Sequence, residues 1–273
     1  MKNKLRIGIL GISGRMGRIL LEMVNARNDI ILSGVTERKG HKWIGKDLGE
    51  LTSGKKNKII VASDLIEIIS DIDVVIDFTS PQNPINTLEL VAQARIAHII
   101  GTTGFNNKQF KKINIASKHA VIVKAGNMSM GINLITQITE KISSILSDEF
   151  DIEILDYHHN QKLDSPSGTS IMLGESAAKG RKVKLENVSD FRKYNSLSLR
   201  KKGEIGFTSI RGGDIVGEHE VIFAGPGERL VFRHVASSRS IFARGAIKAA
   251  IWCRDKKPGL YNMNDVLKLW KWF

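Results

Sequence analysis

Three glycines spaced three apart, Gly11, Gly14 and Gly17, join a short apolar run, Leu5–Gly11, to a segment whose apolar residues Met16, Ile19, Leu20, Met23 and Val24 recur at helical spacing. A strand that turns through glycines directly into an amphipathic helix is the start of a βαβ unit. Glycine permits the tight turn and lets the backbone approach a pyrophosphate, whose charge is favoured at the helix N-terminus. G-x-x-G-x-x-G is a variant of the dinucleotide fingerprint; alone it also suits a tight turn with no ligand. Context strengthens it, because Glu37 follows the next strand, Ile30–Thr36, twenty residues past Gly17. A carboxylate there accepts hydrogen bonds from an adenosine ribose. Arg38 and Lys39 come next. A carboxylate favours the 2′-hydroxyl of NAD, and basic groups favour the 2′-phosphate of NADP. Both NADH and NADPH are therefore expected to serve, with a lean to NADPH; the two basic residues also read as solvent-facing loop charges.

The alternation continues. Strand-like runs Lys58–Ala62, Asp73–Phe78, Ala97–Ile100 and Ala120–Val123 are separated by helix candidates that begin near Pro84 and Asn107. Nearly continuous apolar runs of this kind fit parallel strands covered on both faces. The expected fold class is α/β, a Rossmann-like doubly wound parallel sheet, up to about residue 127. Beyond it come a helix candidate, Gly131–Leu146, with Ile135, Ile138, Ile142 and Ile145 on one face, a strand, Phe150–Tyr157, and a helix, Thr169–Ala178. Three β-rich stretches, Ile205–Arg211, Glu218–Ala224 and Arg229–Val235, follow with glycine turns between them. They predict a smaller α+β domain with an antiparallel or mixed sheet. A last helix near Ser240–Cys253 carries Phe242, Ala246, Ala249, Ala250 and Cys253 on one stripe, and Lys179–Lys202 reads as a polar mobile loop.

The chain has 273 residues and a formal charge of +13, with 42% hydrophobic residues, which is enough to build a core. The basic residues are scattered in doublets such as Lys55-Lys56 and Lys201-Lys202. That pattern suits a solvated surface or the steering of anionic small molecules better than nucleic acid. One cysteine, Cys253, precludes an internal disulfide framework and suggests a reducing compartment. No apolar run approaches the ~18 residues of a membrane span. The expectation is a cytoplasmic protein with neither membrane nor nucleic-acid partners.

The densest chemistry lies in Glu153–Thr169, where His158, His159 and Lys162 follow a strand and Pro166-Ser167-Gly168-Thr169 opens a helix. Imidazole titrates near neutral pH, and a desolvated lysine can also act as a general acid. Adjacent histidines in extended chain point to opposite sides, so joint chelation by His158 and His159 is sterically poor. No further Cys, His or acidic spacing suggests a metal site. The free N–H groups of the helix start can hold a carboxylate. The same residues also read as surface and capping groups.

Gly11–Gly17 with Glu37-Arg38, Asp77-Phe78-Thr79, Gly101–Phe105 and His158–Thr169 together resemble the 4-hydroxy-tetrahydrodipicolinate reductase (dihydrodipicolinate reductase) family of lysine and diaminopimelate biosynthesis. The resemblance continues through Ile205–His219 and Ala236–Ala246, so it spans essentially the whole chain. It implies an NADH- or NADPH-dependent oxidoreductase in which Gly11, Ile12, Ser13, Gly14, Arg15 and Met16 hold the nucleotide and Glu37 and Arg38 meet its ribose. Gly101, Thr102, Thr103, Ala125, Gly126, Asn127 and Met128 complete the implied cofactor contacts. His158 is implied as proton donor and acceptor, Lys162 as a second proton donor, and His159, Gly168 and Thr169 as binders of a cyclic dicarboxylate. The implied reaction is hydride transfer with loss of the 4-hydroxyl as water, giving tetrahydrodipicolinate. The dinucleotide domain would be residues 1–127 completed by 237–273. Residues 128–236 would bind substrate and form a homotetramer. Departures occur at Gly126-Asn127-Met128-Ser129, where the family usually has Ala-Asn-Phe-Ser, at Asp156 for glutamate, and at Ser165 and Ser170 for alanine. Two rival functions are an NAD(P) sensor without turnover and a basic nucleic-acid-binding protein. The first leaves His158 and Lys162 without purpose, and the second leaves the glycine loop unexplained.

Overall fold

In the computed structural model, residues 4–146, 148–191 and 199–271 are described. The chain divides into two compact units, Met1–Met128 with Ser240–Leu267, and Ser129–Arg239 with Lys268–Phe273. The return to the first unit therefore falls at Ser240 rather than at 237, and the last six residues group with the second unit.

In the first unit β1 (Leu5–Leu10), α1 (Arg15–Asn25), β2 (Ile30–Thr36), α2 (Leu48–Ser53), β3 (Val61–Ala62), β4 (Val74–Asp77), α3 (Gln82–Ala94), β5 (Ala97–Ile100), α4 (Asn107–Ala116) and β6 (Val121–Lys124) follow in order. The second unit carries α5 (Met130–Ile145), β7 (Asp151–His158), α6 (Gly168–Gly180), α7 (Leu185–Val188), β8 (Ser189–Asp190), β9 (Ile205–Arg211), β10 (Glu218–Gly225) and β11 (Glu228–Val235). The chain then returns as α8 (Ser240–Cys253), β12 (Gly259–Tyr261) and α9 (Met263–Leu267).

The first sheet has seven parallel strands in the order β12-β6-β5-β4-β1-β2-β3. Burial explains the apolar runs: Ile7, Ile9, Val74, Val75, Ile76, Ile99 and Ile122 have no solvent exposure. From β1 the chain builds outward through β2 and β3, then crosses back to β4. The C-terminal ends of β1 and β4 thus flank a topological switch point, where open parallel sheets bind ligands. The glycine loop leaves β1 at this point. Helix α8 packs on α1, β4 and β5. Strand β12 gives little sequence signal because it is a three-residue edge, paired only with β6.

The second sheet is mixed, in the order β11-β10-β7-β9-β8, with β7 antiparallel to β10 and parallel to β9. Ile152, Ile154, Val221, Phe223, Ile205 and Phe207 form a core with Leu173, Ala177 and Ala178 of α6. Lys179–Lys202 is not simply a loop. It contains the end of α6, together with α7 and β8; residues 192–198 lie outside the described part.

Helix α5 follows its expected apolar face only in part: Ile135 and Ile142, half-buried, pack against the second unit's core. Ile145 is 68% exposed, and the buried residues are Ile132, Asn133, Thr136, Thr139 and Ser143. The reason is close approach to α6, where a Cβ on Gly180 would stand 2.2 Å from the Glu140 carbonyl oxygen. Small side chains on the contact face permit that distance, which bulkier isoleucines would prevent. Gly180→Ala gains about 1 kcal/mol of helix propensity but overpacks a rigid backbone contact, which costs about 1–3 kcal/mol. We expect net destabilisation, read as a lower urea midpoint. Gly212→Ala, where a Cβ meets nothing within 4 Å, is expected to leave the midpoint nearly unchanged.

Candidate active site

On the first unit a cleft of about 800 Å³ is lined by Gly11, Ser13, Gly14, Glu37, Arg38, Lys39, Thr79 and neighbouring polar residues. Gly11 has φ +71°, which L side chains rarely adopt, and a Cβ on Gly17 would lie 2.4 Å from the Gly11 carbonyl oxygen. Gly14 caps α1 without a side chain, and the first turn carries no acidic residue. This helix start therefore offers backbone N–H groups to an anion, and its geometry fits a pyrophosphate.

The Glu37 carboxylate turns back to the loop. Its Oε2 accepts from the Ser13 amide (3.0 Å) and hydroxyl (2.7 Å), and its Oε1 from the Arg38 amide (3.0 Å). Burial opposes the charge, but the hydrogen bonds from Ser13 and Arg38 outweigh it and hold the carboxyl below its usual range. A carboxylate has about four acceptor sites, so Oε1 keeps room for a ribose hydroxyl. Arg38 and Lys39 are exposed beside it. Arg15 is exposed and Met16 half-buried, whereas Ile12 is wholly buried and can offer only backbone. Gly101 sits so close to Phe78 that a Cβ would be 2.2 Å from the ring. Thr102 is buried and Thr103 exposed. At the end of β6, Ala125 is buried and Gly126 exposed, Asn127 is half-buried, and Met128 is buried with its carbonyl facing Gly245 of α8.

On the second unit the alternation of β7 turns Ile152, Ile154, Asp156 and His158 to one buried side. Cross-strand register then gathers the polar groups: Asp156 stands opposite Ser209 of β9 and His219 of β10, and His158 opposite Arg211. The sheet face thus changes from apolar to polar where α6 begins.

Asp156 has no solvent exposure. Its Oδ1 faces His158 Nδ1 (3.0 Å) and accepts from Arg211 Nη1 (2.6 Å). Its Oδ2 accepts from the Ser167 amide (3.0 Å), Ser170 Oγ (2.9 Å) and Ser209 Oγ (2.9 Å). Burial opposes the charge, yet hydrogen bonds with His158, Ser167, Ser170 and Arg211 hold the carboxyl far below the ordinary range. Ser167 caps α6 and lies 3.0 Å from His219 Nε2. The His158 and His219 rings meet edge-on at 5.2 Å.

Lys162 Nζ donates to both oxygens of Asp164, at 2.7 and 2.9 Å. Arg211 Nη2 donates to the Asp164 carbonyl. His159 and Thr169 are half-buried and Gly168 exposed, around the loop and helix start that also carry Lys162. Asp156, Arg211, Ser209 and His219 are absent from the sequence-derived site. Their signal is an acidic residue in an inward slot of an alternating strand. Its partners emerge only once strand register is known.

Burial, then the neighbouring His158, pushes His219 down to about 3. An unfolded histidine titrates near 6.5, so between these values the unfolded chain binds the extra proton. Stability is then lost as pH falls from about 6.5 towards 3, at up to about 1.4 kcal/mol per pH unit. His219→Gln should remove that slope in urea titrations between pH 6.5 and 4.

Comparison with known proteins gives consistent matches. The family model described as dihydrodipicolinate reductase, N-terminus, matches residues 5–128, and the C-terminus model matches 131–267. The 4-hydroxy-tetrahydrodipicolinate reductase of Roseobacter denitrificans is 49% identical over 269 residues, 98% of this chain and 99% of its own. That of Dinoroseobacter shibae is 52% identical over 263 residues, covering 96% and 98%. Among solved structures, a dipicolinate-bound dihydrodipicolinate reductase from Paenisporosarcina sp. TG-14 superposes with TM-score 0.72 at 25% identity, covering 95% and 98%. An amine dehydrogenase from Mycobacterium smegmatis, at 11% identity and TM-score 0.62 over 96% of each chain, shares the fold alone. With both halves matched by models of one family and half the residues shared with its members, the chain belongs to the dihydrodipicolinate reductase family.

Proposed function

We propose that the chain is a cytoplasmic 4-hydroxy-tetrahydrodipicolinate reductase that uses NADH or NADPH in lysine and diaminopimelate biosynthesis. The observation that carries the reading is the His158–Thr169 segment, in which an imidazole backed by a buried carboxylate, a lysine and a helix start meet in a chain of this family. When bound, the nicotinamide supplies a hydride. The substrate loses its 4-hydroxyl as water, gains the hydride, and is left with electron density at the adjacent ring carbon. His158 delivers the proton that quenches it, and Lys162 is a second donor. His159, Gly168 and Thr169 hold a ring carboxylate, aided by the helix start and the Lys162 charge. Lys162 must leave Asp164 to do so, and the Asp164 side chain is exposed to water that can take the lysine's place. On the first unit Gly11 to Met16 hold the pyrophosphate and Glu37 and Arg38 the ribose. Gly101 to Thr103 serve the nicotinamide half, and Ala125 to Met128 add further cofactor contacts.

We further propose a homotetramer built on the second unit, where Val231, Val235 and Ile210 are exposed. A cytoplasmic seat accords with the finding that no described helix is long and apolar enough to cross a membrane.

The test is NAD(P)H absorbance with substrate generated in situ by the upstream synthase. Turnover is expected with both nucleotides, and complete inactivity with one would refute dual use. His158→Gln is expected to lower kcat by ~10²-fold or more with little change in nucleotide affinity. Wild-type turnover in that variant would remove His158 from the mechanism.

A further inference from the structure

Hydrogen-bond polarity around Asp156 fixes where the protons of two imidazoles sit. Arg211 Nη1 and the Ser167 amide can only donate, and they face Oδ1 and Oδ2 respectively. Both carboxylate oxygens are therefore acceptors. His158 Nδ1, 3.0 Å from Oδ1, must be the protonated nitrogen. That leaves Nε2 on the side of Gly217, where even a Cβ would come within 3.1 Å. The polarity extends along Oδ2. Ser170 Oγ spends its proton on Asp156, so Ser167 Oγ, 2.9 Å away, donates to Ser170. Ser167 Oγ also accepts from the Ser170 amide. The remaining contact, His219 Nε2 at 3.0 Å, must then be an N–H that donates to Ser167. His219 Nδ1 is left bare, and it is a buried nitrogen with no hydrogen-bond partner.

We propose that Asp156 is a positioning residue that acts through His158, holding the Nδ1–H tautomer so that only Nε2 exchanges a proton with substrate, while the same carboxylate imposes the opposite tautomer on His219 through Ser170 and Ser167. The proposal rests on the reading of His158 as the proton-transfer group. A merely structural carboxylate would need no particular imidazole proton. Here the proton positions follow from acceptor identity, and an amide at 156 cannot reproduce them. Asparagine has one acceptor oxygen, so either the Arg211 side or the Ser167 side would face an NH2 group, and the network loses its single polarity.

The experiment reads 15N shifts of histidine-labelled full-length protein at pH 8.5, with resonances assigned through His158→Gln and His219→Gln. Wild type is expected to show His158 as Nδ1–H and His219 as Nε2–H. Asp156→Asn is expected to abolish at least one of these tautomers and to lower kcat by about 10²-fold, with KM for the nucleotide within about twofold. Ser170→Ala keeps Asp156 and should release His219 into both tautomers while His158 retains Nδ1–H. A wild-type His158 protonated on Nε2 overturns the proposal, as does a folded Asp156→Asn variant within about threefold of wild-type kcat. So does an unchanged His219 in Ser170→Ala. If wild type fails to oxidise NAD(P)H with this substrate, the proposed reaction is lost, and the spectra still decide the tautomers.

Discussion

A carboxylate taken wholly out of water must be answered by donors or it will not stay charged. Asp156 is answered by five, drawn from β7, β9 and the start of α6. The apolar core beneath holds the sheet against α6. The charge above sets how α6 enters, because the N-cap residue Ser167 donates its own amide to Asp156 while its hydroxyl oxygen accepts from the Ser170 amide of the first turn. Removing one partner of such a buried ion pair typically costs about 3–5 kcal/mol. The start of α6, Arg211 and the imidazole are thus arranged around a single anion.

The first unit repeats this logic at lower cost. Three acceptor sites of the Glu37 carboxylate hold the glycine loop and its own following amide. The neighbouring Arg38 and Lys39 side chains are exposed and line the same cleft.

Much of the architecture is legible in sequence because burial on both faces writes itself as unbroken apolar runs. The helices α1 and α8 and the strands β2 and β9 fall on the expected residues. Failures have two causes: a buried face set partly by size rather than apolarity, and elements too short to show a period. The buried face of α5 mixes Ile132 and Asn133 with Thr136, Thr139 and Ser143, because proximity to Gly180 selects for size as well as apolarity. Strands β8 and β12 span two and three residues, too few for any period to appear. At the candidate site His158, Lys162 and the helix start stand out as a linear motif. Arg211, Ser209 and His219 lie some 50 to 60 positions away and join it only through strand pairing.

The first unit is discontinuous in the chain. Helix α8 and strand β12, which cover the sheet and pair with β6, are made only after all of β7–β11. On the ribosome the second unit's contiguous stretch emerges whole while the first still waits for its last pieces. Until they arrive, β6 presents a bare edge of Val121–Lys124 and the apolar side of β4 and β5 lacks α8. Nascent chains stalled before Ser240 should therefore be the species that chaperones must shield.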